Sequence, residues 1–354
     1  MDFTPTEEQA AARGLAAGIF GDPATYDRLA AVGTGSDRAL WKALCASGLP
    51  EAVEDIGLLG LVLVLEEQGR TTAQTPFAAS CVYGLLAMAA HGTAEQRARL
   101  LPALRDGTAV ATGAFGGGAA VRRVGDGRLS GTVPWVPWLR DATHVLVADD
   151  DREMWWIRVE DAGTEDVETT APWAAARLTL DATPAERLGA AGSGAGAYED
   201  VLATARVAFA GLQAGVCAGS LARAVRYTGT REQFGRPLAA RQAVQLRAAD
   251  AYMDTEAIRV TAYEAAWRRD EGLPYAAHAL TAAWWASEAG KRVVHTGQHL
   301  HGGMGADLDH PVHRHFLWGR QLDAYLGCGS QLLAELGTLL ADEGRAVSWT
   351  EQMA

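Results

Sequence analysis

The sequence predicts a mainly α protein with a central β-barrel domain. Three observations predict it. Helical periodicity gives way near Thr108 to short β-type runs separated by Gly, Asp and Pro, and it returns near Gly211. The last part of the chain carries apolar stripes long enough for a four-helix bundle. With 354 residues, 49% of them hydrophobic, the chain can bury two or three cores of its own. The expected units are a helical domain over 1–107, the β-barrel domain over 108–209 and a C-terminal four-helix bundle domain over 210–354.

Charge and punctuation narrow the class of function. A formal net charge of −12 disfavours nucleic acid or an anionic membrane as a partner, while leaving room for a phosphorylated ligand held in a local basic pocket. The start, MDFTPTEEQ, has no basic-then-apolar signal, and the longest aliphatic run, Leu58 to Leu65, is too short to span a bilayer. Cys45, Cys81, Cys217 and Cys328 are scattered without ligand spacing and read as reduced thiols. A cytoplasmic protein is expected.

The elements follow in order. Thr4-Pro5-Thr6-Glu7 reads as a capping box with Pro at the first helical position. Ser36 is placed to cap a helix burying Leu40, Trp41 and Leu44. At His91-Gly92-Thr93 one helix stops on Gly, and the next starts on Thr93 with Gln96 three residues on. Strands are expected over 109–115, 128–133, 144–148, 154–159 and 177–180, with Gly125-Asp126-Gly127 as a hairpin turn. Beyond Gly211, three sets follow helical spacing: Leu246, Ala249, Met253 and Val260; Leu280, Trp284, Ser287 and Val294; and Leu332, Leu333, Leu336, Leu339 and Leu340. These are expected to form the bundle core.

One stretch combines chemistry with a break in structure: Tyr227 to Gln242, YTGTREQFGRPLAARQ. Arg223, Tyr227 and Arg231 share a helix face, the helix breaks at Gly235-Arg236-Pro237, and a new helix restarts with Gln242 in its first turn. A planar cation, an aromatic ring and an amide gathered at a helix end suit a nucleotide pyrophosphate. An exposed arginine at an ordinary αα corner would leave the same pattern.

The R-x-x-F-G of this stretch, with Gln242 following, resembles the C-terminal domain of the flavin-dependent acyl-CoA dehydrogenases. Gly297-Gln298-His299-Leu300-His301-Gly302-Gly303-Met304-Gly305 followed by His310-Pro311-Val312-His313-Arg314 is similar to that family's second C-terminal signature. Asp37 to Leu49 and Leu65-Glu66-Glu67-Gln68-Gly69-Arg70 with Pro76-Phe77 resemble its N-terminal helices. The loop between them is cut short to Pro50 to Gly57, on the acyl-chain side of the pocket.

The resemblance implies FAD as cofactor, an acyl-CoA or related acyl thioester as substrate, and a homo- or hetero-oligomer. It implies that Arg231, Phe234 and Gln242 hold the phosphates and adenine of FAD across a dimer interface, where Gly302 and Gly303 admit backbone amides. His299 stands where the family usually has Gln. In the strand Gly131 to Pro137, Trp135 occupies the position of the indole that stacks on flavin, and Pro137 that of a Thr or Ser that hydrogen-bonds flavin N5. The family's acidic loop becomes Thr112 to Gly118.

The α-proton of the thioester needs a carboxylate base, and Leu326 and Ala205 fill the two positions from which the family supplies one. Asp323 is a weak substitute, and Glu199 and Asp200 are others. The runs His299 to Asp307, Pro311 to Trp318 and Leu326 to Gly337 resemble short actinobacterial members that form α2β2 heterotetramers on sterol side-chain thioesters. The expected function is therefore an FAD-linked dehydrogenase subunit that needs a partner chain. The alternatives are the same fold used without flavin oxidation and a structural partner subunit.

Overall fold

The computed structural model describes residues 2–21, 26–115, 118–190 and 194–352. It begins with helices: α1 Glu7–Gly21, α2 Tyr26–Val32, α3 Arg38–Ala46, α4 Leu49–Thr71, α5 Phe77–Ala79, α6 Ala87–His91 and α7 Ala94–Arg105, with a π-helical stretch Ser80–Leu86 joining α5 to α6. Eight strands follow: β1 Ala111–Ala114, β2 Ala120–Gly125, β3 Arg128–Val136, β4 His144–Ala148, β5 Met154–Arg158, β6 Gly163–Asp166, β7 Ala176–Pro184 and β8 Glu186–Arg187. The long helix α8 Gly194–Thr230 leads into a small hairpin of β9 Glu232–Gln233 and β10 Arg236–Pro237. The chain closes with α9 Gln242–Asp270, α10 Ala276–His301, α11 Val312–Tyr325 and α12 Gly329–Gln352.

Local chemistry starts the helices, twice one or two residues away from where the sequence placed the cap. The first capping box is Thr6 with Gln9: Gln9 N donates to Thr6 Oγ1 at 3.3 Å and Thr6 N to Gln9 Oε1 at 3.1 Å. Asp37 rather than Ser36 caps α3, accepting from Leu40 N at 2.9 Å, because a carboxylate beside Arg28 is the stronger acceptor. Thr93 and Gln96 form the expected reciprocal box at the start of α7. The shortened loop at Pro50–Gly57 is not a loop. Helix α4 runs through it with one break at Gly57 (φ 69°, ψ −170°), where Asp270 accepts from Leu58 N at 2.8 Å and Leu59 N at 2.9 Å and so caps the restarted helix.

The strands form two four-stranded sheets, ordered β1-β4-β5-β8 and β2-β3-β7-β6. β1 pairs parallel with β4, and the other ladders in these sheets are antiparallel. Their facing side chains, among them Val121, Leu129, Val133, Val145, Val147, Ile157, Leu178 and Leu180, share one core. Among the described residues the strands pair as two four-stranded sheets around this core, and no closed barrel is found where the sequence suggested a β-barrel domain. The five expected strands are present. β2 and β6 were not legible, since five of the six residues of β2 and all four of β6 are exposed and show no alternation.

Helix α8 begins at Gly194, so the boundary drawn at 209/210 falls inside it. Its segment Gly196–Thr230 is long and apolar enough to cross a membrane, yet 89% of its most apolar window is buried inside the fold. It lies against α4 with almost no side chain between the two backbones. A Cβ on Gly215 would stand 2.1 Å from the Glu66 carbonyl, one on Gly69 2.1 Å from the Leu212 carbonyl, and one on Gly219 2.3 Å from the Arg70 carbonyl.

The expected core stripe of α9 is the largest correction to the bundle. Leu246, Met253 and Val260 are 57%, 63% and 53% exposed, and the helix turns Ala251, Thr255, Ile258, Ala262 and Ala265 inward instead. The apolar period was real, but it marks an outward face of this chain. In α12 only Leu332 of its stripe is fully buried, while Leu333 and Leu340 are exposed. Leu280, Ser287 and Val294 of α10 are buried as expected.

Replacing Gly215 with Ala should cost on the order of 3 kcal/mol of unfolding free energy in urea, because neither backbone can retreat. Gly337→Ala, at an exposed helical position with nothing within 4 Å of the added Cβ, should instead stabilise by up to about 1 kcal/mol. Equal effects at the two positions would contradict the close helix contact.

Candidate functional site

The structure divides the expected site residues between two corners. The first lies where α8 ends. Gln233 pairs with Arg236 across a two-residue turn in which both Phe234 (φ 56°) and Gly235 (φ 77°) are left-handed, the geometry of a type I′ hairpin. The sequence pointed to a helix break there and missed the hairpin. Leu238 N donates to the Arg231 carbonyl at 2.9 Å, folding the chain back onto the helix end. A left-handed phenylalanine is strained. Its ring is 91% exposed and is covered on one side by the Arg241 guanidinium, 5.3 Å from the centroid. Arg231 and Gln242 flank this turn, exposed and with no side-chain partner among the described residues.

The end of α10 meets the same helix. The His301 ring stacks on Tyr227 at 4.8 Å and donates from Nδ1 to the Gly297 carbonyl at 2.7 Å. Next comes Gly302 (φ 60°, ψ −137°), a conformation that favours glycine, and then Gly303; both are exposed, with open space where a Cβ would stand. Gln298 donates to the Gly305 carbonyl at 2.9 Å and so holds this turn. His299 points elsewhere, into an open groove of about 1060 Å³ between α9 and α10 that it shares with Arg247, Met253, Arg292 and His295.

The second corner gathers Trp135, Tyr325, Leu326 and Arg206 between the sheets and the C-terminal helices. Trp135 is half-buried with its ring 5.5 Å from Tyr325. Pro137 offers no N–H, and its carbonyl accepts from Thr112 Oγ1 at 2.6 Å. Gly116 and Gly117 of the adjoining loop lie outside the described residues. Ala205 is fully buried, and Leu326 lines a cavity of about 20 Å³ with Arg206, Phe209, Gln213 and Tyr325, room for about one water molecule.

Aromatic rings fill the rest of this corner. The Tyr83 and Tyr325 hydroxyls are 2.8 Å apart with both residues fully buried. Phe115 stacks on Tyr83 at 5.2 Å, and Phe209 meets Tyr325 edge-on at 4.8 Å. Burial pushes both phenols up, so they stay protonated. Arg206, 8% exposed, pairs with Glu335 at 2.7 Å and points N–H groups at the Leu326 carbonyl.

The substitute bases are already committed. Asp323 accepts from Ser287 Oγ at 2.6 Å and from Arg320 Nη1 at 2.9 Å, so both its oxygens are held. Asp200 accepts from Tyr275 at 2.6 Å and meets His91 Nε2 at 2.7 Å, joining α6, α8 and the start of α10. Burial alone would raise this carboxyl, but His91, Tyr275 and the charge of Arg269 together hold it below the usual range. Glu199 pairs with Arg152 at the surface. Sequence reasoning missed Tyr83, Arg206 and Phe209. Tyr83 rides on the π-helical stretch, whose irregular period leaves no stripe to read, whereas Arg206 was one place from the inspected Ala205.

Two family models match the chain: the acyl-CoA dehydrogenase N-terminal domain over residues 6–108 and the acyl-CoA dehydrogenase C-terminal domain over 192–335. Acyl-CoA dehydrogenase FadE27 of Mycobacterium tuberculosis is 33% identical over 375 residues, covering 97% of this chain and 99% of that protein. FadE28 of the same organism is 28% identical over 95% of this chain and 98% of its own length. Among solved structures, the Tcur3481–Tcur3483 steroid ACAD G363A variant superposes with a TM-score of 0.89 at 41% identity, covering 96% of this chain and 99% of that one. The ChsE4–ChsE5 complex from Mycobacterium tuberculosis does so with a TM-score of 0.89 at 31% identity over the same shares.

Tyr83→Phe should lower stability by about 1–3 kcal/mol, because it strands the buried Tyr325 hydroxyl. The double variant Tyr83→Phe/Tyr325→Phe should recover most of that loss in the same urea titration. A double variant as damaged as the sum of the single ones would refute the hydroxyl pair.

Proposed function

The chain belongs to the acyl-CoA dehydrogenase family, and we propose that within it this chain is one subunit of an FAD-linked enzyme that dehydrogenates an acyl thioester with a homologous partner. The observation that carries the reading is the second corner. Removing an α-proton beside a thioester needs a positioned base, worth about 10²- to 10⁴-fold in rate, and Leu326 and Ala205 stand at the two family positions for one. Neither side chain accepts a proton, and the nearby carboxylates are held in hydrogen bonds.

The family is generally FAD-dependent, and the two corners fit that group unequally. The first corner suits a dinucleotide's phosphates: Arg231 and Gln242 are exposed and unengaged, and the Gly302-Gly303 turn leaves backbone amides approachable. The second corner does not suit the isoalloxazine. Pro137 has no donor for its N5, and Trp135 closes on Tyr325 instead of on an open slot. Bound FAD supplies a hydride acceptor; what this chain offers is anchoring for its nucleotide end.

Distance supports a partner. Arg206 borders the Leu326 cavity, and Arg231 follows the far end of the same helix. At 1.5 Å per residue the two are roughly 37 Å apart, further than a single FAD reaches. The Arg231 corner therefore serves a cofactor whose flavin end rests on another chain, and the exposed apolar face of α9 is a surface for that chain to cover. The relatives among steroid ACADs point to a sterol-type thioester as the substrate of the assembled enzyme. The small size of the cavity beside Leu326, about 20 Å³, favours one alternative, a purely structural role beside an active partner.

Anaerobic bleaching of flavin by a panel of acyl-CoA thioesters tests the reading. The lone chain should bleach slowly or not at all, and the chain together with its homologous partner should bleach rapidly. Arg231→Ala should weaken flavin retention in the assembly by about 3 kcal/mol, roughly 100-fold, for two charge-assisted hydrogen bonds lost. Rapid bleaching by the lone chain, or an unchanged flavin content in Arg231→Ala, would overturn it.

A further inference from the structure

Trp138 follows Pro137 directly and is left-handed (φ 56°, ψ 15°), a conformation that strains a bulky side chain. Unlike Phe234, whose ring is exposed, Trp138 is only 1% exposed. Its indole lies in the interior and stacks on Trp173, with centroids 4.4 Å apart and planes 24° from parallel. Trp318 meets Trp173 edge-on at 5.5 Å and Tyr325 does so at 6.2 Å, while Phe209 lies 6.2 Å from Trp138. The strain at Trp138 therefore places one plane of a stacked pair.

Trp173, between β6 and β7, is held as firmly. Its N donates to the Ala171 carbonyl at 2.8 Å, and its carbonyl accepts from Ala175 N at 2.8 Å. Gln74, buried between α4 and α5, donates to the Pro172 carbonyl at 2.7 Å and accepts from Arg314 of α11. Gln321 of α11 accepts from Ala171 N at 3.4 Å. Arg140 N donates to the Ala174 carbonyl at 3.2 Å, which ties the segment of Trp138 to that of Trp173. No polar group answers the rings themselves. Among the described residues Nε1 of Trp138, Trp173 and Trp318 has no hydrogen-bond partner, although all three side chains are buried. These indoles serve by shape and stacking, which offset the unanswered donors.

We propose that the Trp138–Trp173 stack is an internal substitute for a flavin ring, filling in this chain the slot that the resemblance gives to the isoalloxazine. The inference rests on the reading above, which sets that slot beside Trp135 and Pro137. Trp135, Trp173 and Phe209 all pack on Tyr325, at 5.5, 6.2 and 4.8 Å, so the stack and the slot share a wall. A flat ligand enters only by parting the two indoles, which forfeits their stacking and works against the anchors on Gln74 and Gln321. The disagreement between this corner and a flavin ring thus extends beyond the missing donor at Pro137. The chain carries planes of its own there, and they exclude the ring without touching the distant corner at Arg231.

The test is titration of the full chain with lumiflavin, a flavin ring without a nucleotide, followed by the fluorescence of the ring. Wild type should leave lumiflavin free. The variant Trp138→Gly/Trp173→Ala removes both planes, and glycine accepts the left-handed backbone. It should bind lumiflavin on the order of 10-fold more tightly than wild type or better, as cavities cut into apolar cores take rings of matching shape. A second measurement uses the native assembly with its homologous partner. The circular-dichroism couplet of two indoles 4.4 Å apart should persist when FAD is loaded, and it decides the matter if the variant does not fold. Lumiflavin binding by wild type, a folded variant that gains none, or loss of the couplet on loading FAD would overturn the proposal. An assembly that dehydrogenates no thioester while wild type still rejects lumiflavin would sink the proposed function and leave the role of the stack standing.

Discussion

The contact between α4 and α8 is the constraint on which the rest of the molecule depends. Gly69, Gly215 and Gly219 let the two backbones meet where any side chain would collide with a carbonyl. That contact fixes a helix of 37 residues against the N-terminal helices. Everything with chemical interest hangs from its two ends: Ala205, Arg206 and Phe209 toward the start, Arg223, Tyr227 and Arg231 toward the finish. Because one rigid helix holds both ends, their separation cannot be closed by a hinge within this chain. On the proposed reading, a ligand that needs both is shared between chains.

The aromatic packing around Tyr325 fills the corner that the proposed reading assigns to a family base, and does so with a well-packed core. A carboxylate at position 326 would need space, solvent or substrate beside it. Here Leu326 leaves room for about one water, and Tyr83, Phe115, Phe209 and Trp135 occupy the surroundings. The Tyr83–Tyr325 hydroxyl pair satisfies two buried polar groups mutually, so the filled corner is a stable core instead of a collapsed cleft.

Much of this was legible in the sequence, and what was not has physical reasons. The sequence singled out Arg231, Phe234, Gly302 and Gly303, and the structure places them near the ends of two helices that meet at Tyr227 and His301. The proposed absence of a base at Leu326 and Ala205 rests on single residue identities. The glycine contact of α8 was not legible, since small residues in a helix look the same whether they face a backbone or solvent. The α9 stripe misled for a related reason: periodicity tells that a face is apolar, not which neighbour covers it. Phe234 gave no sign of its left-handed conformation, because only Gly235 beside it advertises a turn.

The most direct measurement of the account installs the missing base. In Leu326→Glu the carboxylate returns to its family position, while Tyr83, Tyr325 and Phe209 still fill the space where a thioester would stand. The lone variant, reconstituted with FAD and mixed anaerobically with acyl-CoA thioesters, should bleach flavin no faster than wild type. Rapid bleaching by Leu326→Glu alone would contradict the account, by showing that this chain holds a complete acyl site that lacks only its base.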